Sequence, residues 1–145
     1  MAPNRQGPVV PAFRLEFLAF CDANRDAYLR YAQVRIEDHG EARRCVDAVL
    51  EAVERRWVGL LGSESPTARV WRYLRDEAGI RRPAPGPDEG RLRTVLRDDQ
   101  ADIVLLHHQL RIPIGHAARL MGITDNAAHA LLRGAERDLG SLDEH

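Results

Sequence analysis

Apolar residues recur along this chain with the spacing of α-helices, and no stretch alternates apolar and polar residues as a half-buried β-strand does. One helix is predicted over about 11–36, and another begins at Pro66, after Ser65 as its N-cap, and ends at Gly79. Between them, residues 41–60 carry the clearest apolar stripe, on one helical face. The stripe consists of Val46, Val49, Leu50, Val53, Trp57 and Leu60. Together these segments predict an N-terminal three-helix bundle.

The second half of the chain predicts three further helices. The first is expected to have Asp98 or Asp99 as its N-cap and to end at Arg111, and a short helix over Ile114–Met121 follows it. A turn at Gly122–Ile123 then leads to a longer helix for which Thr124 is the predicted N-cap. Its buried stripe is expected to contain Ala128, Leu131, Leu132, Ala135 and Leu139. A short helix, a turn with glycine and a longer amphipathic helix are typical of a helix-turn-helix. The predicted fold class is therefore all-α.

A break in composition separates the two groups of helices. Residues 83–90 contain three prolines and two glycines, which remove backbone donors and disfavour a helix. We interpret this segment as a linker. The predicted organisation is a helical domain at 1–82, the linker at 83–90 and a helix-turn-helix domain at 91–145.

Size and charge limit the classes of function. The chain has 145 residues, which suits one ordinary domain or two small ones. Its net charge is −1, so no global field indicates a nucleic-acid partner. The charge is uneven: residues 1–82 hold 14 Arg and 12 acidic residues, and residues 83–145 hold 7 Arg and 10 acidic residues. All 21 basic residues are arginine, which indicates a genome of high G+C content.

Several other kinds of protein are disfavoured by what the sequence contains. No run approaches the roughly 18 apolar residues of a membrane span, and the first residues lack the apolar run of a signal peptide. We therefore expect a cytoplasmic protein without membrane contact.

Cys21 and Cys45 have no metal-ligand spacing and are expected to be buried thiols. Phosphate-binding loops and nucleophile motifs are absent from the sequence. We therefore expect no enzymatic activity, no metal and no cofactor.

The predicted helix-turn-helix supplies candidate DNA-binding residues. In this motif the second helix lies in the major groove and directs its outer face toward base edges and phosphates. Asn126 is suited to pair with adenine, and Arg133 with guanine or a phosphate. The complete candidate set is Thr124, Asn126, His129, Arg133 and Arg137 on the second helix, with His116 and Arg119 on the first. The alternative is that these helices only pack or bind protein, which the net acidic charge of this half favours.

Five segments of the chain carry a resemblance to a known family. They are Tyr28–Arg35, the segment 42–57, Val70–Arg75, Leu96–His108 and Ile114–Thr124. In this order they resemble regions 2 and 4 of the two-domain sigma factors of the extracytoplasmic-function group, especially degenerate actinobacterial members. The resemblance implies a regulator that binds promoter DNA and core RNA polymerase to direct transcription initiation.

The resemblance also assigns roles to residues of the first half. It places Trp71, Arg72, Tyr73 and Arg75 in the segment that contacts and opens the promoter. It places Arg43, Arg44, Val46, Asp47 and Leu50 on the helix that docks on RNA polymerase. The family usually has acidic residues at this docking surface, so two arginines here reverse its charge. This reversal is expected to weaken or redirect the contact with polymerase.

Other interpretations stay open from the sequence. The chain could keep the sigma shape without initiating transcription, and serve as an adaptor or decoy for an anti-sigma factor or another transcription regulator. It could also close into a self-inhibited state, which would bury the outer face of the helix from Thr124 to Leu139. Trp71 and Tyr73 are either core residues or exposed aromatic residues on which a DNA base stacks. Their exposure distinguishes these two roles.

Overall fold

The computed structural model describes residues 12–81 and 92–143. Within these ranges the chain forms helices and no β-strand, which confirms the all-α fold class. The helices are α1 (Ala12–Arg35), α2 (His39–Arg55), α3 (Trp57–Leu61), α4 (Pro66–Arg81), α5 (Asp98–Val104), α6 (Ile114–Met121) and α7 (Asp125–Asp143). In the part of the chain described, no helix is long and apolar enough to cross a membrane.

The N-terminal helices follow the predicted apolar stripe but differ from the prediction at two places. All stripe residues of α2 and α3 are buried except Leu60, which is partly buried. The predicted helix over 41–60 is divided at Arg56, whose φ of −112° interrupts the helical path. The predicted stop at Gly79 is wrong, because α4 continues to Arg81. Arg81 donates to Glu77 on its own helix at 2.7 Å and to Glu41 on α2 at 2.6 Å, and these contacts hold the last turn.

The C-terminal helices are joined by tight, well-defined turns. After α5 the chain continues as a π-helical turn over Leu105–Gln109. Arg111 then has a left-handed backbone conformation, with a φ of 59°. Helix α6 has the predicted bounds. Gly122 then takes the left-handed conformation, with a φ of 73°. Thr124 caps α7 as predicted, because its hydroxyl accepts a hydrogen bond from the Ala127 amide at 3.1 Å.

The two halves of the chain pack together around shared buried residues. One hydrophobic cluster includes Tyr31 and Trp71 from the first half and Ile103, Leu106 and Ala117 from the second. Hydrogen bonds also cross between the halves, among them one from the Arg30 guanidinium to the Leu110 carbonyl at 2.7 Å. The division into domains at 1–82 and 91–145 stays a prediction, and the predicted linker at 83–90 lies outside the described residues.

The cysteines occupy interior positions. Cys21 and Cys45 are free thiols and both are buried. Burial raises the pKa of Cys45 to about 11, so its reactive thiolate form is scarce at neutral pH. Both residues therefore suit the packing role expected from the sequence.

Candidate nucleic-acid interface

Helices α6 and α7 pack closely because small residues line their contact. Ala117 and Ala118 on α6 and Ala128 on α7 are fully buried. The left-handed Gly122 turns the chain between the two helices, and its successor Ile123 donates its amide to the Ala118 carbonyl at 2.9 Å. This packing fixes which face of α7 points outward.

The structure brings the predicted DNA-binding residues onto neighbouring exposed surfaces. Asn126, His129, Arg133 and Arg137 are exposed along α7. Their spacing of three or four residues places them on one helical face, which we call the α7 outer face. His116, Arg119 and Thr124 are exposed as well. The self-inhibited alternative required a buried outer face, so the packing of the two halves does not take that form.

The charge on α7 is mixed. Arg133 and Arg137 carry positive charge, and the exposed residues Asp125, Glu136 and Asp138 carry negative charge on the same helix. Asp125 stands in the first turn, where the helix dipole favours an acid. The arginines alone therefore supply the phosphate-binding charge of this helix.

The predicted promoter-opening residues divide into an exposed pair and a buried pair. Arg72 and Tyr73 are exposed on α4. Trp71 is only 1% exposed and its ring lies 4.6 Å from that of Tyr31, so it does not offer the accessible ring that base stacking needs. Arg75 points inward and is held by Asp102 at 2.7 Å. Helical periodicity explains this division, because positions 71, 74 and 78 form the inward face of α4.

The predicted polymerase-docking residues divide in the same way. Arg43, Arg44 and Asp47 are exposed on α2, and the latter two form ion pairs with neighbouring side chains. Val46 and Leu50 are buried in the core, so the expectation that they meet a partner does not hold for this conformation. They belong to the apolar stripe of α2 and stabilise the bundle instead.

A buried charged cluster joins the two halves, and sequence reasoning missed it. Asp102 on α5 is fully buried and accepts four hydrogen bonds. Its donors are the Tyr31 hydroxyl at 2.8 Å, the Trp71 indole nitrogen at 2.9 Å, the Arg75 guanidinium at 2.7 Å and the Arg93 guanidinium at 2.6 Å. We call these five residues the Asp102 cluster. Tyr31, Trp71 and Arg75 belong to the first half of the chain, and Asp102 belongs to the second. The Asp102 carboxylate therefore links three side chains of the first half to the second half.

The electrostatics of the Asp102 cluster agree with its geometry. Burial opposes the charge of Arg75, but the attraction and hydrogen bond of Asp102 outweigh it and raise the pKa of Arg75. Burial, and then the negative charge of Asp102, raise the pKa of Tyr31. Tyr31 therefore stays a neutral donor. The signal available in the sequence was one acid within the otherwise apolar run 101–106.

A second feature, of which the sequence predicted only Arg72 and Tyr73, is a row of arginines beside Tyr73. Arg69 and Arg72 are exposed on α4, and Arg56, just after α2, lines the same depression as Arg69. Two shallow depressions of about 330 and 370 Å³ share Arg69 and Tyr73 in their walls. We call Arg56, Arg69, Arg72 and Tyr73 the α4 basic surface. The signal available in the sequence for Arg69 was its position three residues before Arg72, about one helical turn away.

Comparisons with known proteins provide no relative for this chain. No family model, no curated protein and no solved structure matches it. Among the residues that the structure describes, no group of His, Cys, Asp and Glu could hold a metal ion.

Proposed function

We propose that this protein is a sigma-factor-like transcription regulator of the cytoplasm that binds duplex DNA with α6 and α7 as a helix-turn-helix. The observation that carries the proposal is the α7 outer face. It presents an amide, an imidazole and two guanidinium groups to solvent, on a helix whose other face is packed. In a helix-turn-helix, that is the face that enters the major groove.

Each residue of the interface has a distinct role in this proposal. Asn126, in the first turn of α7, is placed to form two hydrogen bonds with adenine. Arg133 and Arg137 lie one and two turns beyond His129, where a helix leaves the groove and meets phosphates. His116 and Arg119 on α6 then contact the adjacent backbone. Phosphate contacts position the protein, and the contacts to bases provide sequence preference.

Removing both arginines of the α7 outer face tests this proposal. The variant Arg133→Ala/Arg137→Ala is expected to bind duplex DNA at least tenfold more weakly. If both contact phosphates, the slope of log K against log salt should become shallower by about 1.8. The measurement is fluorescence anisotropy of a labelled duplex at several salt concentrations.

The matched control is Arg43→Ala/Arg44→Ala, which removes two exposed arginines from α2. This control should keep the affinity and the slope of the wild-type protein. Equal binding by all three proteins would remove the α7 outer face from the proposed interface.

A second candidate function is an adaptor or decoy that keeps the sigma shape without initiating transcription. The observation that favours it is the Asp102 cluster, which holds the two halves together through buried, charged hydrogen bonds. A sigma factor must present its two halves to separate promoter elements. A protein whose halves are held in contact is better suited to bind one compact partner.

Binding to RNA polymerase distinguishes the two candidates. The full chain is mixed with core RNA polymerase from a high-G+C actinobacterium at physiological salt and separated by gel filtration. The sigma-like proposal expects co-elution. The adaptor candidate expects none, because Arg43 and Arg44 reverse the charge that the resemblance expects at the docking surface.

A further inference from the structure

We infer that Arg69 and Arg72 on α4 bind phosphates of the same DNA duplex that α7 reads, so that the two halves form one continuous DNA-binding surface. The inference rests on the proposed function, since it requires α7 to bind duplex DNA. It differs from the role that the resemblance gives to α4, which is contact with a separate promoter element.

The start of α4 packs directly against the turn that precedes α7. A Cβ atom on Gly122 would lie 2.3 Å from the backbone nitrogen of Ala68, so the two backbones are in close contact. The Ser65 hydroxyl also donates to the Gly122 carbonyl at 3.4 Å. Gly122 lies two residues before Thr124, the N-cap of α7. The first turn of α4 therefore lies against the turn that leads into α7.

The arginines of α4 that lack ion pairs lie at this end of the helix. Arg69 follows Ala68 directly, and Arg72 lies one turn after Ala68 on the same side of α4. Both are exposed, and within the described residues neither forms an ion pair. In contrast, Arg75 and Arg81, farther along α4, are neutralised by carboxylates. The arginines of α4 without ion pairs thus lie at the end of the helix that contacts the turn between α6 and α7.

The dimensions of duplex DNA match this placement. The major groove is about 12 Å wide, and phosphates line both of its walls. Helix α4 packs against α6, and the first helix of a helix-turn-helix crosses the DNA backbone, so a helix beside it lies near phosphates. An arginine there can bind a phosphate while α7 occupies the groove.

The charge of α7 gives a reason for such additional contacts. Its two exposed arginines are accompanied by the exposed acids Asp125, Glu136 and Asp138. Phosphate neutralisation supplies much of the affinity of DNA-binding proteins. With Arg119 of α6, the proposed interface has three arginines, and Arg69 and Arg72 would raise that number to five without changing the face that reads the bases.

The test uses the full chain and duplexes that it recovers from a random-sequence pool of DNA. The variant Arg69→Ala/Arg72→Ala is expected to show a salt slope shallower by about 1.8 and weaker binding, with the same preferred sequence. The control Arg43→Ala/Arg44→Ala removes the same charge near Glu41, which pairs with Arg81 at the opposite end of α4. That control should bind like the wild-type protein. Circular dichroism verifies that each variant is folded.

The possible results separate the inference from the proposed function. If Arg133→Ala/Arg137→Ala weakens binding and Arg69→Ala/Arg72→Ala does not, the inference is wrong and duplex binding by α7 stands. If the wild-type protein binds no duplex, the proposed function fails, and the inference fails with it. If the α4 variant loses affinity only for the corresponding single strand, α4 binds unpaired DNA and the inference is overturned.

Hydroxyl-radical footprinting gives an independent measurement of the same surface. The inference expects one uninterrupted protected region on the duplex, which becomes shorter at one edge in the Arg69→Ala/Arg72→Ala variant. Two protected regions separated by an accessible stretch would contradict it, because the halves would then contact separate elements.

Discussion

Replacing Asp102 by asparagine is expected to lower the free energy of unfolding by about 3–5 kcal/mol. For a chain of 145 residues, that corresponds to a fall in Tm of about 10–16 °C. The substitution keeps the size of the side chain and removes its charge. Chemical denaturation, followed by circular dichroism, measures the change.

The large effect follows from what Asp102 neutralises. The side chain of Arg93 is 7% exposed and that of Arg75 is 16% exposed, and Asp102 accepts a short hydrogen bond from each. Without the carboxylate, the guanidinium group of Arg75 stays largely buried beside a neutral amide, whereas Arg93 keeps its ion pair with Asp98 at 3.3 Å. A buried charge that has lost its partner costs several kcal/mol, because neither water nor an opposite charge stabilises it. In addition, an asparagine NH₂ group would face one of the present donors, Tyr31, Trp71 or an arginine.

The matched control for this prediction is Asp47→Asn on α2. Asp47 also forms an ion pair with an arginine, Arg25, at 3.1 Å, but both side chains are about half exposed. Pairs of this kind contribute about 0–1 kcal/mol, since water solvates each charge when the other is removed. If Asp102→Asn proved no more destabilising than Asp47→Asn, the Asp102 cluster would not be what holds the two halves together.

Replacing Gly122 by alanine is expected to destabilise the protein by about 2–5 kcal/mol. Two effects add at this position. The φ of 73° is left-handed, a conformation that an alanine adopts only with strain. The new Cβ atom would also lie 2.3 Å from the Ala68 nitrogen, and backbone cannot move aside as a flexible side chain can. Helix α4 must then move away from the turn that precedes α7.

The control for this substitution is Gly115→Ala in the first turn of α6. A Cβ atom at Gly115 meets no other atom closer than 3.7 Å, and its backbone is helical. Alanine favours a helix more than glycine does, so this variant should be as stable as the wild-type protein or slightly more stable. Thermal unfolding of both variants makes the comparison. A Gly122→Ala protein as stable as Gly115→Ala would show that α4 and the turn are not in tight contact.

The helices were predicted well wherever a local signal and the packing agree. The bounds of α6 and the cap of α7 follow from short-range chemistry, a proline before the helix and a threonine hydroxyl at its start. The apolar stripe of α2 was predicted because its side chains share one face. The stop at Gly79 was wrong because glycine only weakens a helix, and the ion pairs of Arg81 with Glu77 and Glu41 extend it.

The candidate site was predicted only in part, because helical periodicity was used for α7 and not for α4. Periodicity along α7 was sufficient to place Asn126 and Arg133 on its outer face. The same periodicity was not applied along α4, where the family resemblance grouped Trp71 with Tyr73 although adjacent residues point in different directions. The structure leaves Tyr73 37% exposed and buries Trp71. A resemblance assigns a role to a segment, and the helix decides which side chains can perform it.

The sequence by itself determined the all-α class, most helix limits and the residues of the α7 outer face, because these depend on contacts within a few turns of one helix. Only the tertiary structure decided that Asp102 meets Tyr31, 71 residues away in the sequence, and that Ala68 contacts Gly122. Contacts between distant segments depend on how whole helices pack, and no local pattern encodes them. The placement of Arg69 and Arg72 near the turn that leads into α7 arises from that packing.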